Sequence, residues 1–182
     1  MTDDAGPPKE NREDEREADP EADPEAVARA ILLRQLTLGP RSRHQLAVKL
    51  HERRVPEGAA EAVLQRFEGV GLIDDGEFAA MWVRSRAGSK SLSKGALRRE
   101  LSSKGVAAEV TEEALAELSD EAEEDAARKL VERRMRPAAL QDPAAREREL
   151  RRLAGMLARK GHAPGRAFRI AADVLVEHED TD

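Results

Sequence analysis

A short pattern written three times limits what this chain can fold into more than any other feature. Leu97 and Leu101 stand one helical turn apart and run into Lys104-Gly105-Val106. Leu153, Leu157 and Lys160-Gly161-His162 repeat this 56 positions later, and Leu46, Leu50 and Arg53-Arg54-Val55 precede it by 51, with Ser42 falling on Ser93. Leucines at i and i+4 share a helix face, a cation in the last turn faces the negative end of the helix dipole, and a glycine just past it takes the left-handed turn that stops the helix. Arg54 stands where the other copies have glycine, at a cost of about 1 kcal/mol if the same geometry is kept. Recurrence at about 50 residues marks a tandem array of helical units.

Capping chemistry supplies the other helix boundaries. Ser42 with Gln45, Asp74 with Glu77, and Asp120 with Glu123 each place a capping side chain three residues before Gln or Glu, and Asp142-Pro143 puts proline in the first turn. The intervals carry apolar faces, as at Ala60, Val63, Leu64 and Phe67, or Phe78, Met81, Trp82 and Ser85. No single helix of this length is stable alone in water, so each must bury its stripe against neighbours. The second unit is expected as helices over Glu77–Ala87, Lys94–Lys104 and Ala108–Leu118, with a serine- and lysine-rich loop over 88–95.

Composition agrees with an all-α chain. Hydrophobic residues make up 40% but aromatic ones only 2%, so the core must be built from Leu, Val, Ala and Ile. The formal charge of −6 divides unevenly: residues 1–25 carry 11 acidic and 3 basic side chains, about −8, leaving about +2 on the rest. Residues 1–24, with Pro7, Pro8, Pro20 and Pro24 and almost nothing apolar beyond alanine, are expected to form a disordered acidic tail. There is no cysteine, hence no disulfide or thiolate metal site, and no apolar run approaches the roughly 18 residues of a membrane span. A soluble, cytoplasmic protein is expected.

Signs of catalysis are missing. Asp74 and Asp75 fit a helix start better than a metal pair, and His44, His51, His162 and His178 form no metal-binding spacing, so surface or cap positions account for them. Gly88-Ser-Lys-Ser lacks the order of a phosphate-binding loop. Neither an enzyme nor a bound cofactor is expected. Phe78 and Trp82 fit a core stripe better than a base-stacking platform. The feature with functional promise is basic: Arg84, Arg86, Lys90, Lys94, Arg98, Arg99 and Lys104 are opposed between 84 and 104 only by Glu100. A second group includes Arg151, Arg152 and Lys160. Arg98 and Arg99 lie off the Leu97–Leu101 face and point outward, where guanidinium groups meet phosphates or carboxylates.

The run Gly71-Leu-Ile-Asp74-Asp75-Gly-Glu-Phe78-Ala79, then Val83-Arg84-Ser-Arg86, Arg99-Glu100-Leu101 and Lys104-Gly105-Val106, resembles the RecX family of regulatory proteins. The resemblance spans about 26–176 and is densest between Leu72 and Val106. It implies three tandem three-helix repeats in an elongated curved rod, here 25–74, 75–119 and 120–176, followed by an acidic end at 177–182. It also implies a protein that binds the RecA recombinase filament and restrains its ATPase, strand exchange and co-protease activity, with single- or double-stranded DNA as a further partner and no catalytic residue; a monomer is expected, because a rod with capped ends has no evident self-complementary stripe. Asp74, Asp75, Phe78, Trp82, Leu101 and Gly105 would be its structural motif; Arg84, Arg86, Lys94, Arg98, Arg99, Lys104, Arg151, Arg152 and Lys160 are the candidate contacts. The alternative is a DNA-binding regulator, because helix pairs such as 62–70 with 77–87 also suit a helix-turn-helix.

Overall fold

The structure, a computed structural model, describes residues 23–138 and 142–179, so the expected acidic tail lies outside it apart from Asp23 and Pro24. The described residues form nine helices and no strand: α1 Pro24–Thr37, α2 Arg43–Glu52, α3 Glu57–Gly69, α4 Asp75–Lys90, α5 Lys94–Ser103, α6 Ala108–Ala116, α7 Asp120–Arg134, α8 Pro143–Arg159 and α9 Pro164–Glu179. The all-α expectation holds, and α9 runs three residues beyond position 176.

Three of the four helix starts expected from capping chemistry sit where it puts them. Ser42 and Gln45 form a reciprocal capping box, the Asp74 carboxylate accepts from Glu77 N–H at 2.9 Å, and Asp142 accepts from Ala145 N–H at 2.8 Å with Pro143 in the first turn. Each such cap contributes about 0.5–2 kcal/mol. One start is displaced. Ser119, not Asp120, caps α7 by accepting from Ala122 N–H, which releases Asp120 to pair with Lys94 and turns Glu123 inward. The loop expected from Gly88 is also shorter: α4 continues to Lys90 and stops at Ser91, which takes the left-handed conformation at φ 50°. Ser89 Oγ donates to the Ser85 carbonyl one turn back, so the serines of this segment are compatible with helix.

Three separate apolar clusters follow the threefold pattern. Ala28, Leu32, Leu46, Leu50, Val63, Leu64, Phe67 and Ile73 form the first, and Phe78, Ala79, Val83, Ala87, Leu97, Leu101, Val106, Ala114 and Leu115 the second. The third gathers Leu153, Leu157, Ile170, Val174 and Leu175 with neighbours from α7. Both leucines of every repeat copy are at most 1% exposed, and each buried leucine contributes about 1.5–3 kcal/mol. The face of α4 differs from expectation. Phe78, Ala79, Val83 and Ala87 are buried, Met81 and Trp82 are half-buried, and Ser85 is exposed.

The units join through their middle helices, end to end. At the first joint, Ser42 Oγ donates to the Lys104 carbonyl at 2.6 Å, and Arg43 N–H donates to Asp75 Oδ1 at 2.7 Å. At the second, Ser93 N–H donates to the Lys160 carbonyl at 3.1 Å. The C-terminal turn of α8 therefore meets the start of α5, and that of α5 meets the start of α2, with their dipoles head to tail. Gly105 and Gly161 lie in these joints at φ 73° and 91°. A Cβ on Gly161 would come within 2.7 Å of Ala96 Cβ and Ser93 Oγ, and one on Gly105 would run into His44. Glycine at the cap is demanded twice, by the left-handed turn and by the neighbouring unit. Arg54 takes the same turn at φ 57° at the end of α2, the first helix of the row.

Candidate interaction surface

Cations that look unopposed along the sequence acquire partners in three dimensions. Arg84 pairs with Glu117 at 3.4 Å, Lys94 with Asp120 at 2.7 Å, and Arg98 with Glu112 through two guanidinium nitrogens at 2.5 and 2.8 Å. Arg98 holds the Glu112 carboxyl below the usual carboxylate range by hydrogen bonding, and Lys94 does the same to Asp120. In the third unit Arg151 pairs with Glu147 one turn away. Arg152 grips the buried Glu149 through two nitrogens and also donates to the Arg134 carbonyl. Glu149 is held low chiefly by Arg152, with Arg136 N–H assisting against the opposing effect of burial. Local charge counting hid these pairs because Glu112, Glu117 and Asp120 come from α6, α7 and the turn between them.

Trp82 is not the plain core residue that its spacing suggests. Its ring stacks on Phe78 at 5.8 Å, and its Nε1–H donates to Glu100 Oε2 at 2.8 Å. The Arg86 guanidinium and the Lys104 ammonium both lie over the indole, 4.3 and 4.1 Å from its centre. Cations over an indole gain roughly 0.5–2 kcal/mol each. Arg86 and Lys104 are thereby fixed beside each other at a half-buried site, with Glu100 as the nearby counter-charge.

The second joint carries the remaining polar chemistry. His162, expected at a surface or cap, is buried, with Nε2 3.2 Å from the Ser91 carbonyl, which can only accept, and Nδ1 facing Glu123 Oε1 at 3.4 Å. Arg166 reaches the same Glu123 oxygen at 3.7 Å and Glu124 at 3.3 Å. Arg99 has no carboxylate partner among the described residues; its guanidinium lies across Gly95 and Gly161. Lys160 closes α8 at the same junction. The candidate contacts thus divide: Arg84, Lys94, Arg98, Arg151 and Arg152 are engaged internally, Arg86 and Lys104 are held on Trp82, and Arg99 and Lys160 stand at the joint.

Sequence reasoning missed Lys129 and Arg133. They lie one turn apart on α7 and line an open cleft of about 330 Å³ with Gly88, Ser91, Ala122, Asp125 and Ala126. Net charge concealed them, because α7 opens with Asp120, Glu121, Glu123, Glu124 and Asp125; the i, i+4 spacing of the two cations was the available signal. Among the described residues no group of three acidic or histidine side chains is arranged to hold a metal ion, and no helix is long and apolar enough to cross a membrane.

Comparison with known proteins identifies the first two units. Residues 28–67 match the RecX first three-helix domain and residues 74–115 the RecX second three-helix domain. The regulatory protein RecX of Streptomyces coelicolor is 52% identical over 156 residues, 85% of this chain and 81% of that one. RecX of Thermobifida fusca is 45% identical over 148 residues, covering 81% and 78%. The fold is shared with the crystal structure of RecX from Lactobacillus salivarius, at TM-score 0.72 and 18% identity over 83% of this chain and 96% of that one. A second solved regulatory protein RecX matches at TM-score 0.68 and 26% identity, covering 83% and 72%. The chain belongs to the RecX family of regulatory proteins.

Proposed function

We propose that this chain binds the RecA–single-stranded-DNA filament and inhibits its ATPase, strand exchange and co-protease activity, so modulating DNA repair and recombination. The observation that carries the reading is the end-to-end row of α2, α5 and α8, joined by Ser42 to Lys104 and Ser93 to Lys160, in a member of a regulatory family. A row of similar units suits a partner that itself repeats, and bridging adjacent protomers restricts the motions that their ATP cycle requires. The units acting in this way are 25–74, 75–119 and 120–176, in an elongated, curved monomer working in the cytoplasm and, once bound to RecA, on the nucleoid. Arg86, Arg99, Lys104 and Lys160 are the sequence-derived cations best placed to reach acidic RecA surfaces or phosphates: among the described residues none forms an ion pair with a carboxylate, Arg86 and Lys104 lie on Trp82, and Arg99 and Lys160 stand at the joint. The reading needs no catalytic group.

The test is the single-stranded-DNA-dependent ATPase rate of RecA titrated with the full chain and with a version lacking residues 1–24. Inhibition at less than equimolar protein is expected. An unchanged rate with RecA still bound to DNA overturns the proposal, and tight binding of the protein alone to one duplex sequence would favour the helix-turn-helix regulator.

A further inference from the structure

With the internal ion pairs set aside, cations without a carboxylate partner among the described residues gather where the second unit meets the third. Lys129 and Arg133 stand on one wall of the α4–α7 cleft, Lys90 adjoins Ser91 at its edge, and Arg99 and Lys160 lie across the same junction. The other residues lining the cleft are Gly88, Ser91, Ala122 and Ala126, all small, with Asp125 the one carboxylate among them. A wall of small residues lets a polymer backbone approach closely. No aromatic or large apolar side chain lines the cleft, which removes base stacking and the buried anchor that a protein partner needs. Lysine and arginine on long stems contact phosphate oxygens readily, and two cations four residues apart on a helix are about 6 Å apart along its axis, the order of one step between phosphates on a strand.

We infer that the cleft between α4 and α7 seats the phosphodiester backbone of a nucleic-acid strand, held by Lys129 and Arg133 with Lys90 assisting, and without sequence preference. Phosphate contacts of this kind position a strand but read no bases, and they release counterions as they form. The inference rests on the nucleic-acid partner that the family resemblance implies and adds the residues of this chain that hold it. Ser91 and Lys90 belong to the joint and Lys129 and Arg133 to α7, so a strand lying here also spans two units and braces the junction.

The test is fluorescence anisotropy of a labelled oligothymidine titrated with the full chain across a range of salt concentrations. Changing Lys129→Gln together with Arg133→Gln should weaken binding about tenfold and reduce the slope of log K against log salt by about 1.4, at roughly 0.7 per phosphate for a single strand. The control is Arg29→Gln with Arg53→Gln, which removes the same charge from two cations of the first unit and should leave affinity within about twofold. The proposal is overturned if the wild type fails to bind, if the two double variants lose affinity equally, or if a mixed-sequence strand of equal length binds tenfold differently. If the Lys129/Arg133 double variant melts early, each single variant is used, with half the slope change expected and an unchanged slope counting against the site. Oligonucleotide binding without RecA inhibition would remove the recombinase reading and leave the cleft; RecA inhibition without oligonucleotide binding would do the reverse.

Discussion

Where α5 ends against α2, a serine hydroxyl holds the cap carbonyl, His44 lies on Gly105, and the adjoining groove of about 290 Å³ is lined by Leu36, Leu72, Phe78 and Met81 with Arg41, Asp74 and Glu77. Where α8 ends against α5, a serine amide holds the cap carbonyl, Ala96 lies on Gly161, and the surroundings are His162, Glu123, Arg166 and unpaired cations. The residue after the cap shows the contrast most clearly: Val106 is part of an apolar cluster, whereas His162 spans Ser91 and Glu123. One backbone device has been filled with two chemistries. The part shared by the copies therefore builds the row, and the side chains around each joint are free to differ in charge and so in what they attract.

Breaking the joint itself should have the largest effect. Gly161→Ala must accept a left-handed φ of 91° and a Cβ 2.7 Å from both Ala96 Cβ and Ser93 Oγ. The conformational cost and the overpacking together should lower stability by about 2–4 kcal/mol in urea or thermal unfolding. Gly105→Ala should also be costly, but there the nearest atoms all belong to the His44 side chain. Adding His44→Gly should recover part of that loss. A Gly161→Ala protein as stable as wild type would mean that the units do not meet as described.

Exchanging the chemistry of one joint for the other is the next test. His162→Val leaves the Ser91 carbonyl without its donor and Glu123 with Arg166 as its remaining nearby charge, so a loss of about 1–3 kcal/mol is expected. Combining it with Glu123→Ala removes the carboxylate that faced the imidazole and should cost less than the sum of the two single changes, because both side chains fill one buried site. Strictly additive losses in this double-mutant cycle would show that His162 and Glu123 act independently and that the polar joint is not one network.

Much of this was legible in the sequence, for reasons that are local. The i, i+4 leucines, the left-handed caps at Arg54, Gly105 and Gly161, and the Ser42, Asp74 and Asp142 starts depend on residues within one helical turn of each other. What failed was set at longer range. Ser119 and Asp120 are both good caps, and the choice fell to Ser119 while Asp120 meets Lys94 from another helix. The outward direction of Arg98 was legible, but its partner Glu112 was not, because pairing across α5 and α6 depends on how they pack. His162 in a third-unit cap gives no local sign that a neighbouring unit will bury it. The position of Lys129 and Arg133 beside Gly88 and Ser91 likewise exists only once α4 and α7 meet.

Arg54 separates the two causes that coincide at the glycine joints, and it should give the smallest effect. It holds φ at 57° as Gly105 and Gly161 hold theirs, yet it ends the row, and its side chain is exposed. The left-handed turn alone should cost a non-glycine residue about 1 kcal/mol, so Arg54→Gly should raise stability by somewhat less than that, the freer unfolded chain offsetting part of the gain. If backbone conformation were the whole reason for glycine at the other caps, Gly161→Ala would lose only the same amount with opposite sign. The structure instead places Ala96 and Ser93 against Gly161, so the loss there should exceed the Arg54→Gly gain about threefold, on the order of an added overpacking cost. Equal and opposite changes would show that the cap, and not the approach of the next unit, is what requires glycine.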